Sequence, residues 1–165
     1  MKYYHDLITE KSFKILQDLR RKFDFILIGG WAIFLYTKAL KSKDIDIYLP
    51  YYSHIGLRVE EIKKHTQSIE GFEVPIPEIL LILKTYTFFQ RKNTTKGRKD
   101  LIDIFSLLSR EIINWQEYKE LIKKYNLEEI NKKLKELISS TKNLSELNLL
   151  NHQLSRLKRK ILENL

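Results

Sequence analysis

The chain has 165 residues and is 43% hydrophobic, which is enough for a folded core and excludes a chain disordered throughout. A net charge of +9 indicates an anionic partner such as a nucleotide or a nucleic acid. Cysteine is absent, which excludes disulfides and thiolate chemistry.

The N-terminal part of the sequence predicts helical and extended segments in alternation. A helix is expected over residues 6–22, where apolar residues recur at helical spacing. Residues 25–28 form an apolar run typical of a buried strand, and a mostly buried helix is expected over residues 31–40. Residues 44–49 alternate polar and apolar side chains, which predicts a second strand.

The middle of the chain predicts two short elements and then two longer helices. A short helix is expected over residues 59–65, and an extended segment over 68–76, with a turn or bulge at Gly71. Pro77 suits the first turn of a helix that we expect to continue to Gln90. A basic loop over residues 92–99 separates it from a further helix beginning at Asp100.

Residues 110–165 contain neither glycine nor proline, and their composition predicts helices. Asn114 is expected to cap one helix and Asn126 another that runs to Ile138. Residues 144–165 carry leucine and isoleucine at spacings of three and four, which indicates a heptad seam. Over so short a length the seam is expected to pack on the chain's own helices, and a homodimer through these helices is the alternative.

Two motifs carry candidate chemistry. Gly29 and Gly30 lie between the predicted first strand and the next helix, where missing Cβ atoms let backbone N–H groups approach a phosphate. Asp44 and Asp46 share one face of the second predicted strand, and paired carboxylates are hard oxygen ligands that suit Mg²⁺. Each motif also has an ordinary explanation, as a turn and as a half-buried strand.

The order of these motifs resembles the DNA polymerase β-like nucleotidyltransferase superfamily, in which a Gly-Gly or Gly-Ser motif precedes an Asp-x-Asp metal motif. Further along, Leu81-Ile-Leu-Lys84, then Arg91 and Arg98-Lys99-Asp100-Leu-Ile-Asp103, are similar to the distal motifs of one branch. That branch contains the AbiEii-type abortive-infection toxins and related bacterial and archaeal nucleotidyltransferases. The resemblance covers about residues 25–108.

The resemblance implies an α/β (α+β) fold, with a small mixed nucleotidyltransferase-type sheet flanked by helices over residues 1–108. Residues 109–165 would be an all-helical C-terminal extension. The implied reaction transfers a nucleoside monophosphate from an NTP to a hydroxyl, with Mg²⁺ or Mn²⁺. The acceptor would be an RNA 3′ end such as that of tRNA, a protein target or a small molecule, and a toxin-like role in a toxin–antitoxin pair is one possibility.

The resemblance also assigns roles to individual residues. Asp44 and Asp46 would be catalytic and hold the metals. Lys84 would contact the nucleotide phosphates, and Asp100 would belong to the distal part of the catalytic site. The nucleotide-binding residues would be Gly29, Gly30, Ser42, Lys43, Lys84 and Arg91.

Members of the superfamily use a third carboxylate on a later strand, and this sequence has no clear counterpart to it. Of the acids between Asp46 and Pro77, only Glu73 lies on a plausible strand. The alternative prediction is therefore a catalytically reduced protein of the same fold that binds nucleotide, RNA or a protein partner without turnover. The chain has no apolar run of membrane-spanning length and no apolar N-terminal signal, so we expect a cytoplasmic protein without a membrane partner.

Overall fold

The structure, a computed structural model, describes residues 2–39 and 55–165, without the side chains of residues 2–9. Of the described residues 69% are helical. Their strands form one antiparallel hairpin. The elements in chain order are α1 (Lys2–Lys22), α2 (Gly29–Thr37), α3 (Val59–Lys63), β1 (Thr66–Ile69), β2 (Phe72–Pro75), α4 (Pro77–Arg91), α5 (Thr95–Ser109), α6 (Trp115–Lys124), α7 (Glu128–Ser140) and α8 (Asn151–Asn164), with a short 3₁₀ helix at Ser145–Leu147.

The prediction of a mixed nucleotidyltransferase-type sheet is wrong, because the described residues are mostly helical and contain a two-stranded hairpin only. The apolar run 25–28 makes a single parallel bridge between Ile26 and Glu73, with the Leu27 N–H donating to the Glu73 carbonyl at 2.8 Å. Periodicity does not distinguish so short an apolar run from buried irregular chain. The predicted strand 44–49 lies outside the described residues.

The chain divides into two compact units, Met1–Ile76 and Pro77–Leu165. In the first unit aromatic rings form the centre of the core. Phe13 of α1 lies 5.5 Å from Trp31 of α2 and 6.1 Å from Phe72 of β2, measured between ring centroids. These contacts join two helices and the hairpin. The functional boundary predicted between residues 108 and 109 stays a prediction.

The hairpin turns through Glu70 and Gly71, which both have positive φ, at 52° and 79°. Two successive positive φ angles are typical of a type I′ turn, whose twist matches that of the strands it joins. The sequence predicted one extended segment with a turn or bulge at Gly71. The structure has a turn there, with a strand on each side.

The second unit is built around α4, which packs against α5, α6 and α7. Every residue from 77 to 85 is buried, as expected for a helix surrounded by other helices. The helix predicted from Pro77 is confirmed and ends at Arg91. By contrast, α5 begins at Thr95, five residues before the predicted start, because the Thr94 hydroxyl caps it by accepting the Gly97 N–H at 3.0 Å.

The C-terminal helices agree with the sequence in part. Asn114 caps α6 as predicted, its side chain accepting the Glu117 N–H at 3.2 Å. Asn126 does not cap α7, which begins two residues later. The last helix begins at Asn151 and not at residue 144. No helix of the described residues has both the length and the apolar character that a membrane span requires.

Candidate functional site

Four charged side chains of α4 and α5 meet between these two helices, and we call them the charge cluster: Lys84, Arg91, Asp100 and Asp103. The Lys84 Nζ atom lies 3.0 Å from Asp100 Oδ1 and 2.6 Å from Asp103 Oδ2. Arg91 donates from Nε to Asp100 Oδ2 at 2.8 Å and from Nη2 to Asp100 Oδ1 at 3.1 Å. Asp100 thus accepts three hydrogen bonds from two cations.

Helical spacing explains why these side chains meet. Lys84 and Arg91 are two turns apart on α4, and Asp100 and Asp103 are one turn apart on α5. A loop of three residues, 92–94, joins the helices, so they lie side by side in opposite directions.

Gly97 allows the start of α5 to approach the end of α4 closely. A Cβ atom at this position would lie 2.2 Å from the Arg91 carbonyl oxygen, which no side chain tolerates without a backbone shift. Glycine therefore permits the helix contact that brings Asp100 to Lys84 and Arg91.

The cluster is largely removed from water. The side chains of Asp100, Asp103 and Lys84 are 1%, 9% and 11% exposed. The Arg91 side chain is 39% exposed and forms the outer edge of the cluster. Because an isolated buried charge is very unfavourable, the buried charges of Lys84, Asp100 and Asp103 are tolerated only as hydrogen-bonded ion pairs.

Protonation follows from the same contacts. Burial lowers the pKa of Lys84, but the carboxylates of Asp103 and Asp100 outweigh it and raise the pKa above its usual value. Burial raises the pKa of Asp103, and the lowering effect of the Lys84 ammonium does not cancel this. Lys84 therefore remains a cation at neutral pH and is unsuited to act as a nucleophile or a general base.

The chemistry that this arrangement offers is that of a fixed cation. An ammonium has three N–H donors, and the two carboxylates orient Lys84 by taking up two of them. The formal charges of the cluster cancel, so it supplies an oriented donor and not an excess of positive charge. Such preorganised donors stabilise charge that develops during phosphoryl transfer.

The predicted phosphate-binding glycines lie in the first unit, as the first two residues of α2. Gly29 has φ +72°, and a Cβ atom there would have no neighbour within 4 Å. Glycine is therefore favoured at this position by backbone conformation and not by a close approach. The preceding residue, Ile28, provides no side-chain cap for the helix amides.

The other predicted site residues give less information. Ser42, Lys43, Asp44 and Asp46 lie outside the described residues. Glu73, the candidate third carboxylate, lies on β2 with its side chain exposed. Within residues 10–39 and 55–165, no group of three or more potential ligand side chains could hold a metal ion.

The structure brings together three residues that the resemblance assigned to the site, namely Lys84, Arg91 and Asp100. It adds Asp103, which sequence reasoning left out of the site. The signal was its spacing of three from Asp100. Both aspartates lie beyond the first turn of α5, so neither carboxylate is placed to interact with the N-terminus of that helix.

Comparison with known proteins identifies no relative of the chain. No protein-family model, curated protein or solved structure matches the chain. The interpretation of the charge cluster therefore depends on its own geometry and on the motifs that led to it.

Proposed function

We propose that the chain is a nucleotidyltransferase that moves a nucleoside monophosphate from an NTP to a hydroxyl acceptor. The observation that carries this proposal is the charge cluster. The resemblance points to Lys84, Arg91 and Asp100, and in the folded chain both cations pair with Asp100. The proposal concerns the reaction and not the fold, since unrelated folds support the same chemistry.

In the proposed reaction the acceptor hydroxyl oxygen attacks the α-phosphorus of the NTP. The bond from the α-phosphorus to the oxygen bridging to the β-phosphate breaks, the hydroxyl proton is released, and pyrophosphate leaves. Lys84 would donate an N–H to a triphosphate oxygen and stabilise the charge that develops there. Asp44 and Asp46 would hold Mg²⁺, which would supply further positive charge for the phosphates.

Asp100 and Asp103 act in this scheme as positioning residues. They hold the Lys84 ammonium at 3.0 and 2.6 Å and keep it protonated. Arg91 in turn holds Asp100 from the outer edge of the cluster. The ammonium is therefore in place before the nucleotide binds, and no reorganisation is needed during the reaction.

The test is incubation of the full chain with Mg²⁺, RNA and NTPs labelled at the α-phosphate. We expect label to pass from NTP to an acceptor, and Asp46→Ala to lower the rate at least about a hundredfold because it removes a metal ligand. Asp24→Ala, at an exposed aspartate of the first unit, is the matched control and should transfer label at the wild-type rate. Transfer that survives Asp46→Ala would rule out the proposal.

Binding of RNA without turnover is a second candidate, and the surface charge of the second unit favours it. Residues 77–165 contain 18 lysines and arginines and 11 aspartates and glutamates. Three of these acids, Glu78, Asp100 and Asp103, are buried, but among the basic residues only Lys84 is. This leaves 17 basic and 8 acidic residues towards the surface, a charge that attracts phosphate backbones.

The same assay separates the two candidates when RNA binding is measured beside it. Binding that weakens steeply with salt, without transfer of any label, would support the second candidate and contradict the first. Transfer of label to RNA would support the first. Neither binding nor transfer would contradict both.

A further inference from the structure

Phe89, near the C-terminal end of α4, has two lysines over its ring, and we call these three residues the basic–aromatic patch. The Lys92 Nζ atom lies 5.8 Å from the ring centroid, and the Nζ atom of Lys133 on α7 lies 5.7 Å from it. Residues 77–165 are all described, and within them neither lysine pairs with a carboxylate. Two cations from separate elements, neither paired with a carboxylate of the described residues, therefore lie over one aromatic ring.

The Phe89 ring packs against a neighbouring phenylalanine. Phe88, which is 9% exposed, packs edge-to-face against Phe89, with 5.2 Å between the centroids and 82° between the planes. Phe89 itself is half-buried, and Lys92 is exposed. The patch thus combines a packed aromatic ring with two cations close to it.

The two cations are weakly held. A lysine over a phenylalanine gains little from the ring while its ammonium stays hydrated. A phosphate group offers each ammonium a stronger, charge-assisted partner than the ring does. The lysines can therefore leave the ring for phosphate groups without a large loss of stability.

We propose that the basic–aromatic patch binds single-stranded nucleic acid, with a base stacked on Phe89 and with Lys92 and Lys133 on the flanking phosphates. Aromatic platforms beside cations are how proteins hold single strands. The proposal rests on the RNA contact proposed above, and it holds whether the RNA is an acceptor or only a ligand. An anionic membrane is disfavoured because an interfacial segment inserts several exposed apolar side chains, whereas the patch offers one half-buried ring.

The test measures fluorescence anisotropy of a labelled oligouridylate of about twelve nucleotides with the full chain at several salt concentrations. Phe89→Leu keeps an apolar side chain but removes the ring, and we expect it to weaken binding at least about fivefold. Lys92→Gln with Lys133→Gln should reduce the slope of log affinity against log salt by about 1.4. Circular dichroism checks that each variant is folded.

A charge-matched control distinguishes binding at the basic–aromatic patch from binding by the overall positive charge of the chain. Lys119 and Lys123 are exposed lysines of α6, and neither lies over the Phe89 ring. Replacing both by glutamine removes the same charge, and we expect the affinity at moderate salt to stay within about twofold of wild type.

The other outcomes of the binding test contradict the proposal in different ways. Wild-type binding that Phe89→Leu leaves unchanged refutes the patch while RNA binding stands. Failure of the wild type to bind any oligonucleotide at low salt refutes both the proposed patch and RNA binding by the chain. Binding to phosphatidylserine vesicles in place of oligonucleotide, lost in Phe89→Leu, would make the occupant a membrane and overturn the proposal.

Discussion

Replacing Lys84 with methionine tests whether the charge cluster behaves as one unit. The substitution keeps the length of the side chain but leaves Asp100 and Asp103, which are 1% and 9% exposed, without their ammonium. Breaking a buried ion pair by removing one partner costs about 3–5 kcal/mol. Arg91 still bonds Asp100 through two hydrogen bonds, so we expect the lower end, about 3 kcal/mol. That corresponds to a fall in melting temperature of roughly 6–12 °C.

The assay is urea denaturation followed by far-ultraviolet circular dichroism and by tryptophan fluorescence, with both probes compared because the chain has two compact units. Lys96→Met, at an exposed lysine of α5, is the matched control and should change stability by less than about 0.5 kcal/mol. The loss of stability in Lys84→Met should become smaller towards acid pH. Burial raises the pKa of Asp103, and protonation of this carboxylate removes the unpaired negative charge.

A double-mutant cycle completes this test. Asp103→Asn in the Lys84→Met background removes the stranded carboxylate, so the double variant should lose less stability than the sum of the two single variants. The expected coupling is about 0.5–3 kcal/mol. Additive losses, or a Lys84→Met variant as stable as Lys96→Met, would refute the interpretation that the cluster is mutually dependent.

Three further predictions concern the scaffold of the second unit. Gly97→Ala should destabilise by about 1–3 kcal/mol in chemical denaturation, because the new Cβ would lie 2.2 Å from the Arg91 carbonyl oxygen; a gain in stability, as at an ordinary helix glycine, would contradict the close approach. Burial raises the pKa of Glu78, so its contribution to stability is present below its usual pKa of 4.5 and is lost as pH rises through the raised value. Glu78→Gln should therefore gain stability relative to wild type from acid to neutral pH in urea titrations, and a constant difference would refute this. The hydrogen bond from Arg98 lowers the pKa of Glu146 to about 2, so stability from this half-exposed pair is present above pH 4.5 and is lost towards about pH 2; Glu146→Gln should lose under about 1 kcal/mol at neutral pH and nothing in acid.

The helices that sequence predicted best are those whose ends carry a local signal. Proline in the first turn fixed the start of α4 at Pro77, and Asn114 fixed the start of α6 through its side-chain cap. The start of α5 was missed because its apolar periodicity begins only at Leu101, whereas the helix begins at Thr95 with polar residues. There Thr94 supplies the cap, and a threonine before a polar helical turn is a local signal in the sequence.

The mixed sheet that the resemblance implies needs strands at two short apolar or alternating runs, residues 25–28 and 44–49, and such runs depend on tertiary partners for their conformation. Residues 25–28 have one bridging partner, Glu73, and so they remain a single bridge. The pairing of β1 with β2 follows instead from the turn at Glu70 and Gly71, which is local.

For the candidate site, the sequence could place Lys84 and Arg91 on one face of a helix, because their spacing is two turns. It could not show that both cations face the same carboxylate, since this depends on how α4 and α5 pack. Nor could it show that Asp103 shares the ammonium of Lys84. The resemblance assigned roles to three of the four cluster residues; Asp103 lies in the same motif without a role, and packing places it against Lys84.

The most direct measurement of the central claim is nitrogen-15 NMR of the Lys84 ammonium, assigned by its absence in Lys84→Arg, during titration with Mg²⁺ and an NTP. We expect a resonance that is visible at neutral pH, because two carboxylates hold the ammonium protons, and that shifts as nucleotide saturates the chain. A resonance that stays fixed at saturating nucleotide would show that Lys84 does not bind the triphosphate and would contradict the account.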